Sequence, residues 1–293
     1  MEFKKIEIAD IPVFESFLRH QPYKTCDFTL LATYMWANYF NYEFAIKNDT
    51  LFARERSEKG VRYFLPISKK LSLVESLTRL KEFVASEVDL LSIPECIISE
   101  IDGAFNASFE LNRDWSDYLY NASDMLTLSG KKYNKKRNLI HQFEKLYQYE
   151  LVPISSENIS EVIQFAQTED NGEELSDLAR YESEATLNVL KNYATYDAHI
   201  DLYGYVLYVD KKVVGFEICE YRNDVLFVHI EKADRNYKGA HQILFWLTLN
   251  AIHKITNFNY VNREEDVGDE GLRKAKLSYY PIEILNKYDV KLL

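Results

Sequence analysis

Apolar and polar positions along the chain change period several times, and each change marks an element. Phe3 to Ile8 alternates as a strand does. Ala9-Asp10-Ile11-Pro12 then starts a helix, with Asp10 as cap and Pro12 in its first turn. Phe28 to Tyr39 is apolar with helical spacing. Phe44-Ala45-Ile46 and Leu51-Phe52-Ala53 flank Asn48-Asp49, which predicts a hairpin. Tyr63 to Pro66 reads as a further strand. Leu71, Val74, Leu77, Leu80, Val84 and Val88 mark one helix face. Leu91–Ile93 and Phe109–Leu111 read as strands around a helix at Glu95–Ile101.

After a short helix opened by Ser123-Asp124-Met125-Leu126, Gly130 breaks the pattern. Lys131 to Tyr147 then reads as a long basic helix with Leu139, Phe143, Leu146 and Tyr147 as its apolar face. A strand at Tyr149–Val152 leads to two acidic helices, from about Ile159, joined by a loop at Asn171-Gly172. A meander follows: Tyr205–Val209, Val213–Tyr221 and Val225–Ile230, with turns at Asp210-Lys211-Lys212 and Asn223-Asp224. Gly239 to Ile255 is a strongly apolar helix and Phe258–Val261 a strand. A charged loop, Asn262-Arg263-Glu264-Glu265-Asp266, leads into a helix near Gly271–Ser278. Tyr280 to Ile284 and Val290 read as closing strands.

Composition narrows what such a chain can be. At 293 residues and 47 % hydrophobic it has ample material for a core, and 9 Gly and 6 Pro exclude low-complexity structure. Cys26, Cys96 and Cys219 form no zinc or redox spacing, and the six histidines show no metal motif, so no metal site is expected. No secretory leader is legible, and no apolar run reaches the roughly 18 residues needed to cross a bilayer. The expectation is a cytoplasmic protein with no integral membrane segment.

A net charge of −11 argues against non-specific coating of nucleic acid, yet it is unevenly spread. Residues 1–150 carry 20 basic and 22 acidic side chains, whereas 151–293 carry 15 and 24. Within this acidic chain, 131–145 holds six basic residues and one acidic. Lys135, Lys136 and Arg137 there suit either a solvated helix pairing with the acidic half or a site for the phosphates of tRNA, a lipid headgroup or a coenzyme. We therefore divide the chain into an amino-terminal domain (1–125), a basic connecting helix (126–148) and a carboxy-terminal domain (149–293) holding the active cleft.

Two further segments carry candidate chemistry. Where a strand hands over to a helix, Arg235-Asn236-Tyr237-Lys238-Gly239-Ala240 offers free helix-start amides to a phosphate, or is simply a turn that needs Gly239. The run from Asn262 to Lys276 sits where open α/β sheets place ligands. Arg273 and Lys276 share a helix face and could hold an anion, while Glu264 or Asp266 could take a proton from an acceptor. Helix capping accounts for Asp269, Glu270 and Lys274, but less well for the run Asn262 to Asp266.

The order strand–helices–meander–helix–strand–helix–strand resembles the Gcn5-related N-acetyltransferase fold, and the first half repeats parts of it. The runs Ser129 to Asn138, Glu231 to Ala240 and Val261 to Pro281 together resemble the family of the phosphatidylglycerol lysyltransferase carboxy-terminal domain. The resemblance implies an α/β (α+β) fold of two tandem acetyltransferase-like domains, as in Fem-type peptidyltransferases. It implies an acyl- or aminoacyltransferase that uses coenzyme A or aminoacyl-tRNA as donor toward a small-molecule amine or hydroxyl acceptor. Carried over by motif, Arg235, Asn262, Arg263, Glu264, Asp266, Arg273 and Lys276 fall on the expected cleft, and from their own chemistry Glu264, Asp266 and Lys276 are the expected catalytic residues. Lys135, Lys136, Arg137, Arg235, Tyr237, Lys238, Gly239, Asn262, Arg263 and Arg273 are the expected binding residues. Lys238 stands where acetyltransferases carry the first glycine of the coenzyme A loop. The alternatives are an acetyl-CoA-dependent N-acetyltransferase of a small amine, or a non-catalytic binder of an anionic ligand on the same fold.

Overall fold

A computed structural model describes residues 1–58, 60–169 and 176–293. The expected loop at Asn171-Gly172 lies outside the described residues. The chain forms two compact units, each a mixed sheet flanked by helices. The first comprises Met1–Tyr118, Glu264–Lys274 and Ile284–Leu293; the second comprises Leu119–Arg263 and Ala275–Glu283. The sequence reading placed all of 149–293 together, whereas these units join 264–274 and 284–293 to the amino-terminal part.

In the first unit the strands run in the order Lys4–Lys5, Glu43–Lys47, Thr50–Ser57, Gly60–Tyr63, Val88–Pro94, Lys287–Leu292 and Ala107–Leu111. The hairpin at Asn48-Asp49 forms as its sequence predicts. Both residues take positive φ, 52° and 55°, which matches the twist of the flanking strands. The strand expected over Tyr63–Pro66 is instead split between Gly60–Tyr63 and Ile67–Ser68. Strand Lys287–Leu292 lies inside the sheet, antiparallel to both of its neighbours. An interior strand has both edges paired and both faces available for burial, which is how Lys287 becomes fully buried.

The second unit is built on the predicted meander, Leu202–Val209, Lys212–Arg222 and Val225–Ala233, with Tyr149–Pro153 on its outer edge. Helix Ala240–His253 then returns the chain so that Tyr260–Asn262 runs parallel to Val225–Phe227. That crossover buries the helix on several sides, which is why its sequence is apolar almost all round. Strand Asp117–Asn121, which the hydrophobic pattern did not reveal, pairs through Leu119–Asn121 with Tyr260–Asn262.

Basic helix Asn134–Leu146 buries Ile140 and Phe143, but Leu146 is exposed, so its expected apolar face is one residue off. Gly239, at φ 89°, lies against the carbonyl oxygen of Leu139 on this helix. Among the described residues no helix is long and apolar enough to cross a membrane.

Candidate functional site

The second unit gathers charge where its parallel strands end. Asn262 closes one strand and is fully buried; Arg263 follows it. Glu217 and Glu231 are direct cross-strand partners on the neighbouring meander, so their side chains share a sheet face. Arg263 reaches that face and places Nη2 2.6 Å from Glu231 Oε2. Its guanidinium carbon also lies 4.3 Å over the ring of Phe245 and 4.8 Å over that of Tyr279. His241 Nδ1 stands 3.3 Å from the other oxygen of Glu231.

Burial opposes charge on Glu231, but Arg263 and His241 overcome it and hold the carboxyl at about 2. Burial and the neighbouring Glu231 charge push Glu217 well above the usual carboxylate range. Two buried polar atoms of this cluster lack hydrogen-bond partners, Arg263 Nη1 and Glu217 Oε2. A buried donor left in that state costs roughly 1–3 kcal/mol.

Lys136 joins from the basic helix. Its amine donates to Ser278 Oγ at 2.7 Å and lies 3.9 Å over the Tyr279 ring. Burial and the nearby Arg263 charge lower it to about 8. Arg137 does different work: it donates to the carbonyls of Leu128 and Gly130 and to Asn134, tying down the turn that precedes the helix. Lys135 is exposed. Lys276 is buried in the same unit, and its carbonyl accepts from Tyr120 OH at 2.8 Å.

At the other candidate junction, Arg235 and Lys238 are exposed, and Tyr237 packs its ring 5.2 Å from that of Tyr147. Gly239 caps the helix, but the Leu139 carbonyl oxygen covers it. A side chain at Gly239 would meet that oxygen, so the close approach of the two backbones requires glycine there.

Glu264, Asp266 and Arg273 lie in the first unit. Glu264 adopts φ 54°, and its carbonyl accepts from Tyr118 N at 3.3 Å. Asp266 is fully buried and accepts from Arg273 Nη2 at 2.6 Å, Arg273 Nε at 2.9 Å, Gly268 N at 3.0 Å, Arg113 Nη1 at 3.4 Å and the Tyr118 hydroxyl. Burial works against its charge, yet these bonds hold the carboxyl at about 2. Arg273 also grips Asp114 at 2.7 Å. Asp266 and Arg273 therefore organise the loop around them.

Sequence reasoning missed Glu217 and Glu231, whose place in an alternating strand looks like a solvent face. It also missed Lys287, whose ammonium sits 2.6 Å from Asp27, 2.7 Å from Asp117 and 2.6 Å from Glu265. Cys26, Asp117 and Glu265 bring their ligating atoms within 4.8 Å of one another, a spacing that suits a metal ion. The Lys287 ammonium already occupies that place.

Comparison with known proteins agrees with this architecture. The family model for the phosphatidylglycerol lysyltransferase C-terminal region matches residues 19–291. An uncharacterized protein of Mycoplasmoides gallisepticum is 25 % identical, over 91 % of this chain and 92 % of its own. A solved structure of a conserved protein of unknown function from Bacteroides thetaiotaomicron is 30 % identical, covers 100 % of both chains and has a TM-score of 0.88. The solved L-PGS of Bacillus licheniformis shares the fold at 14 % identity, with 96 % of this chain and 90 % of that one covered and a TM-score of 0.64.

Proposed function

Because the chain belongs to the family of the phosphatidylglycerol lysyltransferase C-terminal region, we propose that it is an acyl- or aminoacyltransferase whose donor is gripped by Arg263 and Lys136. The observation that carries this reading is the buried, unpartnered Nη1 of Arg263. A desolvated guanidinium donor beside a second cation calls for a negatively charged oxygen, either a donor phosphate or the oxyanion that develops on an attacked carbonyl. Aminoacyl-tRNA is the donor class we favour. Lys131, in the turn before the basic helix, and Lys135, on that helix, are exposed and could meet a nucleic-acid backbone.

In this reading the amine or hydroxyl of a small-molecule acceptor attacks the ester carbonyl of the donor. A C–N or C–O bond forms, the bond to the ribose oxygen breaks, and the acceptor's proton passes to that oxygen. Arg263 and Lys136 lower the barrier by meeting the charge that collects on the carbonyl oxygen. Burial and the Glu231 charge disfavour a second negative charge on Glu217 that would compete for Arg263. Asp266, held at about 2, is a weak proton acceptor; we assign it and Arg273 to holding their loop.

The test is single-turnover transfer from a mixed aminoacyl-tRNA pool, and separately from acetyl-CoA, to a panel of amines and alcohols. We expect transfer from the tRNA pool that Arg263→Met reduces at least about a hundredfold, as expected for loss of one transition-state donor. No transfer from either donor, or an unaffected Arg263→Met, overturns the proposal.

A further inference from the structure

The first unit holds a cavity of about 190 Å³ that the transferase reading does not use. Its walls are aromatic: Trp36, Phe40, Tyr42, Phe64 and Trp115 line it. These rings brace one another, with Phe40 stacked on Tyr42 at 5.7 Å, Tyr42 edge-on to Phe64 at 4.6 Å and Phe40 edge-on to Trp115 at 5.8 Å. They form a standing wall.

Acidic side chains outnumber basic ones on that wall. Asp27, Glu55, Glu265 and Asp289 line the cavity, and Arg62 is the cation that lines it with them. Arg62 is spent on Glu55 at 2.6 Å and Asp289 at 3.4 Å. Beneath, one ammonium, that of Lys287, serves Asp27, Glu265 and Asp117 together. An anion entering here meets carboxylates, and a neutral apolar molecule would strip water from them without compensation. An organic cation satisfies both parts of the surface, because aromatic faces attract cations and carboxylates accept their hydrogen bonds. The chain already makes this choice once, with Lys287.

We propose that this cavity binds a small organic ammonium ion with an apolar body, its cationic head at Asp27 and Glu265 and its body against Trp36, Tyr42, Phe64 and Trp115. The rings set an upper limit on length, and the acidic floor sets the sign of charge. The inference stands apart from the transferase reading, since it concerns equilibrium binding and needs no donor.

Isothermal titration calorimetry of the full chain tests it with 2-phenylethylammonium and, as the neutral molecule of the same shape, 2-phenylethanol. The ammonium is expected to bind and the alcohol to bind at least about tenfold more weakly, the scale of a desolvated cation–π contact. Trp115→Leu is expected to weaken the ammonium by a similar factor, and Asp27→Asn to shrink the gap between the two probes. Asp27 touches Lys287, so folding of both variants is checked by their melting curves. If Asp27→Asn does not fold, Trp115→Leu decides the matter. Absence of binding up to about 10 mM, equal affinity for the alcohol, or an unchanged affinity in folded Trp115→Leu overturns the proposal.

Discussion

Glu217 and Glu231 face each other across adjacent strands of the second sheet, yet they titrate in opposite directions. The difference lies in Arg263, which bonds Glu231 at 2.6 Å. Two like charges on one sheet face repel, and the guanidinium decides which carboxyl is favoured to keep its charge.

The pair makes stability depend on pH from both sides. Glu231 folds with its carboxyl at about 2, below the unfolded value of 4.5, so its contribution is present above 4.5 and is lost as pH falls toward 2. Glu217 folds with its carboxyl raised above 4.5, so its contribution is present below 4.5 and declines as pH rises toward the folded value. Glu217→Gln, which copies the neutral acid, should therefore flatten the alkaline fall of the melting temperature. Glu231→Gln should destabilise by about 3–5 kcal/mol, because Arg263 loses its buried partner. Melting curves from pH 4 to pH 9 check both.

Lys136 predicts a pH dependence of ligand binding. With its amine lowered to about 8 by burial and by Arg263, the cation is lost as pH rises through that value. Affinity for an anionic donor should weaken between pH 7 and pH 9. Lys136→Arg keeps its charge throughout that range and should remove the dependence. A tRNA-binding titration at three pH values reads this out.

Gly239→Ala should destabilise the second unit by roughly 2 kcal/mol or more. Two costs add: alanine resists a φ of 89°, and its methyl would collide with the Leu139 carbonyl oxygen. Urea denaturation measures the loss.

Lys287→Met tests the buried charge cluster of the first unit. Burial, set against Lys287 and reinforced by Glu265 and Asp27, holds Asp117 at about 7. Without the ammonium the carboxylates are left uncompensated, at a cost of about 3–5 kcal/mol. At pH 5 they can take up protons, so the variant should lose less stability there than at pH 8. Denaturation at both values distinguishes this from a simple packing defect, which would cost the same at each.

Local pattern carried much of the architecture. The Asn48-Asp49 hairpin, the meander from Leu202 to Ala233 and the apolar helix at Ala240 were legible because each depends on neighbours in sequence. Asp117–Asn121 was not, since buried Tyr118, Leu119 and Tyr120 break the two-residue alternation that signals a half-exposed strand. The charged loop at Asn262 to Asp266 was legible as a run, but the partner of its Arg263, Glu231, lies on another strand. Glu217 and Lys287 were invisible for the opposite reason: a charged residue in a strand reads as solvent-facing until its distant partners are known.

Strand Lys287–Leu292 has a consequence for how the molecule is made. It fills an interior place in the first sheet, and it brings Asp289 beside Arg62, 227 residues earlier. During synthesis the first unit must wait for that strand while the second unit is completed. Until then Val88–Pro94 and Ala107–Leu111 each present an open edge, the kind of surface that recruits foreign strands. A ribosome paused before residue 287 would hold a nascent chain whose later part can be finished while its earlier part remains ajar.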